Sequence, residues 1–194
     1  MMEPIQPLKL NLSTISAYAD VTIPTDKVKD DVILFLQDFF ALDPTYTFDR
    51  DETKTKIFVQ DIDKYNPKVV DPKPRIVVSR DEIKWMNYSL DNLAGLKETD
   101  THRYEYFLDH VAGSVTCNCL SKNGVESEVL ASKVFMAFRV FKQDIRNAYS
   151  IFDIDSVSIG KEQRLISDVQ PNLKNVPVLL SVTTTVSWSK TYSK

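Results

Sequence analysis

Residues that could hold a phosphate lie where a predicted strand turns into a predicted helix. Ser121-Lys122-Asn123-Gly124 supplies a hydroxyl, a lysine and one glycine at this turn. A P-loop needs several glycines and a Lys-Ser/Thr pair, so that backbone N–H groups line the anion. The residues that follow include Glu126 and Glu128, whose carboxylates repel an anion. We therefore predict a structural turn here.

Two cysteines, Cys117 and Cys119, could supply half of a metal site. They lie two residues apart in a strand-like run, so their side chains share one face. A structural zinc site takes about four ligands, and the chain has only two histidines, His102 and His110. Two small buried thiols are favoured over a Cys-Cys-His site, and no metal or cofactor is predicted.

Three pairs of carboxylates could bind Mg²⁺ in a metal-dependent hydrolase. No pair belongs to a motif that supplies a general base, and the chain has no G-x-S-x-G segment. We predict that the protein is not an enzyme, with the hydrolase as an alternative. The pairs are Asp61 with Asp63, Asp81 with Glu82, and Asp153 with Asp155.

Charge and composition exclude several classes of protein. The net charge of −3 gives no global basic field that would attract nucleic acid. No apolar run approaches the roughly 20 residues that cross a bilayer, and the N-terminus lacks a signal pattern, so we expect no membrane partner. Only four glycines occur, which argues against a dinucleotide site and weakly favours a structural role.

Two amphipathic helices are predicted from apolar residues that recur at steps of three and four. The first follows Pro24 and ends at Asp43-Pro44, because a proline steers the preceding residue away from helical conformation. The second is expected from about Val125 to Ala148. On the first helix, the apolar face consists of Val28, Val32, Phe35, Leu36 and Phe39, widened by Ile33, Leu34 and Phe40.

Strands are predicted from β-branched and aromatic residues. They cover residues 55–62, 74–80, 82–88, 103–120 (with a kink at Gly113 as an alternative), 152–160, 162–170 and 176–188. Residues 89–101 are predicted to be a loop or a single helical turn. The predicted fold class is α+β: a mostly antiparallel sheet with two amphipathic helices packed on one face, plus an extended N-terminal arm. The arm is residues 1–23, and residues 24–194 form a single domain.

The order of these elements resembles the tail-terminator proteins of long-tailed bacteriophages. The resembling segments are "TDKVKDDVILFLQDFFALDP", "PRIVVSR", "GSVTCNCLSKNGVESEVLASKVFMAFRVF" and the closing strand "VPVLLSVTTTVSW". Together they span about residues 24–190. The N-terminal arm and the longer segment at residues 81–105 depart from the family layout, so another neck or head-tail joining protein of similar layout is a second interpretation.

This resemblance implies a structural virion protein, made in the host cytoplasm and located in the neck. Proteins of the family form a ring, usually of six subunits, at the head-proximal end of the tail tube. The implied partners are further copies of the chain, the tail tube protein and the head-side connector protein. DNA would pass through the ring without sequence-specific binding.

Subunit contacts are predicted on the arm, on the excess apolar surface of both helices and on the Ser/Thr face of the last strand. The arm could instead form an edge strand on its own domain. An oligomer is favoured over a monomer that buries both helices. The candidate contact residues are Leu8, Leu10, Leu12, Ile33, Phe40, Thr183 and Thr185.

Overall fold

The computed structural model describes residues 15–16, 24–66, 72–86, 93–149, 151–165 and 173–193. Their helices and strands confirm the predicted α+β class. In chain order these are β1 (Ile15–Ser16), α1 (Pro24–Ala41), β2 (Phe58–Asp61), a 3-10 helix (Ile62–Lys64), β3 (Arg75–Met86), β4 (Leu93–Glu98), β5 (His102–Ser121), α2 (Gly124–Val140), α3 (Lys142–Ala148), β6 (Ile151–Ile159), β7 (Gln163–Leu165) and β8 (Leu173–Ser193).

The chain divides into two compact units, a division that the sequence did not predict. The larger unit comprises Ile23–Met86 and His110–Thr185, and the smaller unit comprises Met1–Thr22, Asn87–Asp109 and Val186–Lys194. The long strands β5 and β8 each contribute residues to both units.

In the larger unit the strand order is β8-β5-β3-β2, and β6 and β7 pair with β8. The β2–β3 pair is parallel, whereas β3–β5, β6–β8 and β7–β8 are antiparallel. The side-chain amide of Asn175 donates a hydrogen bond to that of Asn118, and Gly113 lies beside Val182. β5 and β8 therefore also run antiparallel.

The smaller unit contains two short pairings. β4 pairs antiparallel with the first part of β5, from Leu93 with Phe107 to Glu98 with Arg103. This strand corrects the predicted loop at residues 89–101. β1 pairs with the end of β8, where Ile15 faces Tyr192. The described part of the arm is thus an edge strand on its own chain.

Strand β3 is one strand where two were predicted. Its register with β5 shifts between Arg80 and Ile83. At that point the backbone N–H of Glu82 donates to Ser114 Oγ at 3.2 Å. The hydroxyl of Ser114 thus satisfies the backbone donor that the bulge leaves without a partner in the sheet. The pairing resumes at Ile83, and the strand continues to Met86.

The helices pack on one face of the sheet of the larger unit. Side chains alternate across a strand, so Ile76 and Val78 of β3 face the helices while Val77 joins a separate small cluster with Leu120 and Leu173. The main core joins Val32, Leu36 and Phe40 of α1, Leu130, Val134 and Phe138 of α2, and Cys117, Cys119, Val178 and Leu180 of the sheet.

The second predicted helix is interrupted at Phe141, which separates α2 from α3. Phe141 has φ −95° and ψ 16°, outside the helical range, although its N–H still donates to Ala137 O at 3.0 Å. The break redirects the chain so that α3 packs against β6 and buries Ile145. Packing against the sheet thus outweighs the continuous helical pattern of the sequence.

Candidate interaction surface

The turn between β5 and α2 uses its polar groups within the chain. Asn123 caps the helix by accepting from the N–H of Val125 at 3.1 Å, and Ser121 donates to the carboxylate of Glu126. A Cβ on Gly124 would lie 2.8 Å from an oxygen of Glu162. With two carboxylates beside it, this helix start disfavours an anion, in line with the predicted structural turn.

Cys117 and Cys119 lie on the helix-facing side of β5 and are fully buried free thiols. Burial in apolar surroundings raises the pKa of both thiols well above the usual value. Since a thiolate is the metal ligand and the nucleophile, these cysteines are inert. Among the described residues, no group of three or more His, Cys, Asp or Glu side chains could hold a metal ion.

The first carboxylate pair is contacted by one lysine of α1. Lys29 Nζ lies 2.6 Å from Asp61 and 3.4 Å from Asp63. Asp61 also caps the 3-10 helix by accepting from the N–H of Asp63. The hydrogen bond with Asp61 raises the pKa of Lys29, so this ion pair persists at neutral pH. The ion pair between Lys29 and Asp61 stabilises the packing of α1 against the end of β2.

The second pair, Asp81 and Glu82, is held by two partners. Asp81 accepts from the hydroxyl of Thr116, and Glu82 lies 2.9 Å from Lys84 Nζ. Both acids are thus engaged on the surface of the sheet.

The third pair, Asp153 and Asp155, is similarly engaged. Asp153 lies 2.8 Å from Lys142 Nζ, and Asp155 accepts from Thr183 at 2.8 Å. The hydrogen bond from Lys142 lowers the pKa of the Asp153 carboxyl. A lowered pKa weakens this carboxylate as a general base.

Two of the predicted contact residues are not at the surface. Phe40 is completely buried in the core, and Thr183 is buried and bonded to Asp155. These two predictions are therefore corrected: packing of α1 on the sheet buries Phe40, and pairing with β6 covers Thr183. Ile33 is partly buried against the core. Leu8, Leu10 and Leu12, and the side chain of Thr185, lie outside the described residues.

The main exposed apolar feature is a stripe along α2 on the side away from the sheet, which we call the α2 stripe. It consists of Val125, Val129, Met136 and Val140, whose side chains are 68%, 40%, 52% and 61% exposed. With Phe39 of α1, the first three line a groove of about 450 Å³. In water an exposed apolar row of this kind favours association.

The sequence predicts excess apolar surface on this helix, but the candidate contact residues include none of these four. Their spacing, at steps of four, seven and four residues, was the available signal. Leu130, Val134 and Phe138 follow a second helical row that faces the core. Because the core covers only one side of this helix, its second apolar side is available for contact with another molecule.

Charged residues border the α2 stripe. Glu128 and Arg139 are exposed. They lie 11 residues apart, which is about three helical turns, so both project from the same flank of α2. Within the described residues neither charge has an ion-pair or hydrogen-bond partner. Lys133, near the middle of the helix, pairs instead with Asp43 of the same chain.

Other exposed apolar side chains lie on different elements of the larger unit. Leu42, just after α1, is 88% exposed, and Leu34 of α1 is also exposed. Leu179 of β8 points away from the helices and is exposed too. The larger unit thus carries more than one apolar surface.

Among the described residues, no helix has the length and apolar character that crossing a membrane would require. Comparison with protein-family models and with curated proteins finds no match to this chain.

Proposed function

We propose that the protein is a non-enzymatic structural component of a bacteriophage neck, a tail terminator that acts by association of its own copies. The observation that supports this most strongly is the presence of apolar surfaces on separate elements: Leu34 and Leu42 at α1 and just after it, and Leu179 on β8. A closed ring requires two different patches that meet head to tail. A chain with several separate apolar patches has what such a ring uses.

The chemistry of the acidic side chains supports the same proposal. Each predicted carboxylate pair is bonded to lysines or hydroxyls of its own chain. Both cysteines are buried as thiols. These carboxylates and thiols thus serve to hold the fold, and the element order resembles that of tail terminators.

The proposed role is tested by the mass of the purified protein in light scattering, followed by negative-stain imaging with and without tail tubes. We expect rings, of about six subunits as in the resembling family, that bind the ends of tubes. A protein that stays monomeric and leaves the tube ends free at working concentration contradicts the proposal.

A matched pair of variants locates the ring contact. Leu42→Ser removes a highly exposed apolar side chain and should reduce ring formation without lowering the melting temperature. Leu36→Ser alters a fully buried residue of α1 and should lower the melting temperature instead. Rings that persist unchanged in Leu42→Ser place the contact elsewhere.

A further inference from the structure

The α2 stripe is symmetric about its own centre. Val125 precedes Val129 by four residues, and Met136 precedes Val140 by four. Val125 with Val140, and Val129 with Met136, therefore share one midpoint, which falls between Ser132 and Lys133. A second copy of the helix, turned by a two-fold rotation to run antiparallel, would place Val125 opposite Val140 and Val129 opposite Met136. Apolar residues then meet apolar residues along the whole contact.

Ser132 has a small side chain close to the point where the two copies of α2 would cross. It is exposed and lies on the α2 stripe at the midpoint. A small side chain where two helices cross lets their backbones approach. The side chain of Lys133, next to it, is drawn toward Asp43 and so leaves the crossing point to the serine.

The flanking charges match the same arrangement. In an antiparallel two-fold pair, residues on one flank of a helix meet residues on the same flank of its mate. Glu128 and Arg139 share a flank and lie toward opposite ends of α2. Each Glu128 would therefore meet the opposite Arg139, which gives two ion pairs. In a parallel two-fold pair each flank would meet the opposite flank of the mate, so Glu128 and Arg139 would not face each other.

We propose that two copies of this chain associate through antiparallel packing of α2 on α2, with the two-fold axis between Ser132 and Lys133. A two-fold contact joins copies in pairs and cannot close a ring. This pairing is thus separate from the head-to-tail ring contact and does not depend on a virion role. A single helix pair buries less than a standard interface of about 1,600 Å², so the pairing is weak and depends on concentration.

Cysteine cross-linking tests the direction and register of the pair. Val125 and Val140 lie about 22 Å apart along one helix at about 1.5 Å per residue. A short bismaleimide should therefore join Val125→Cys to Val140→Cys when the two variants are mixed, and should join neither variant to itself. Ser132→Cys should cross-link with itself. The wild-type chain is the control, because its own cysteines are buried.

The outcome that overturns the proposal is a different cross-linking pattern. Self-linking of Val125→Cys would show a parallel pair. The absence of any link in the mixture, at concentrations up to the solubility limit, would show that the α2 stripe does not pair with itself.

Charge reversal provides an independent test by sedimentation. Glu128→Arg or Arg139→Glu alone replaces two attractive contacts in the pair by two repulsive ones, and should weaken pairing about tenfold or more. The double variant restores opposite charges and should return pairing to within about threefold of wild type. Failure of the double variant to recover overturns the proposed contact. Negative-stain imaging of these samples tests the ring separately, so loss of one property is distinguishable from loss of the other.

Discussion

At the residue scale, Asp43 ties the end of α1 to α2 through one carboxylate. Its Oδ1 accepts from the N–H groups of Thr45 and Tyr46, each at 2.9 Å, and its Oδ2 accepts from Lys133. Burial opposes ionisation of this carboxyl, but the hydrogen bonds outweigh it and hold its pKa below the usual value. The charged form therefore stabilises the fold.

The lowered pKa gives a pH dependence with a definite sign. The stabilisation is present above the unfolded pKa of about 3.9 and is lost as pH falls through the lower folded pKa. We expect Asp43→Asn to lower the free energy of unfolding by about 1 kcal/mol at pH 7, with the difference narrowing below about pH 4. Urea denaturation at a series of pH values measures this. Asp30→Asn, which removes an exposed carboxylate, is the control and should change little.

The buried thiols provide a second test at this scale. We expect Cys117 and Cys119 to react with a thiol reagent only after unfolding, because burial raises their pKa and blocks access. Two equivalents of thiol should appear in denaturant and almost none in the native protein at pH 8. Fast labelling of the native protein would contradict the packing of β5 against the helices.

At the element scale, the connection after β6 depends on a close approach at Gly160. Its N–H donates to Pro177 O at 2.7 Å, and a Cβ there would lie 2.7 Å from Pro177 Cγ. A proline ring on a paired strand cannot move aside. At Gly124 the corresponding clash is with the carboxylate of Glu162, at the end of a flexible side chain.

This difference predicts unequal effects of the same substitution. Gly160→Ala should lower the free energy of unfolding by about 2 kcal/mol, as overpacking does. Gly124→Ala should lower the free energy of unfolding by less than about 1 kcal/mol. The reason is that Glu162 can rotate away, with loss of its contact with Lys174. Chemical denaturation of both variants tests the order, and equal losses would contradict the distinction between a rigid and a movable neighbour.

At the scale of the whole molecule, β1 marks how far an N-terminal truncation can extend without removing a described strand pairing. Ile15–Ser16 pairs with β8, so a truncation that stops before Ile15 keeps this pairing. We expect deletion of residues 1–14 to leave the melting temperature nearly unchanged and to weaken assembly in light scattering. Leu8→Ser, Leu10→Ser and Leu12→Ser together form the matched full-length variant. Assembly equal to wild type in both would refute a role for these residues.

The two helices show which features of the fold can be predicted from the sequence and which cannot. The steps of three and four that place Val32, Leu36 and Phe138 on one face follow from helix geometry alone, and these residues are buried. The same periodicity continues through Phe141, so no local pattern marks the break between α2 and α3. The register shift after Arg80 is equally invisible in the local sequence, because the N–H of Glu82 is bonded there to Ser114, which lies 32 residues after Glu82.

The sequence by itself determined the α+β class, the buried thiols and the structural turn at Gly124, because each depends on the chemistry of nearby residues. Only the tertiary structure decided which side of an apolar helix is left exposed. Two rows on α2 are similarly apolar, and the sheet can cover just one of them. It covers Leu130, Val134 and Phe138 and leaves the α2 stripe in water. That choice depends on where distant strands lie, which no local pattern encodes.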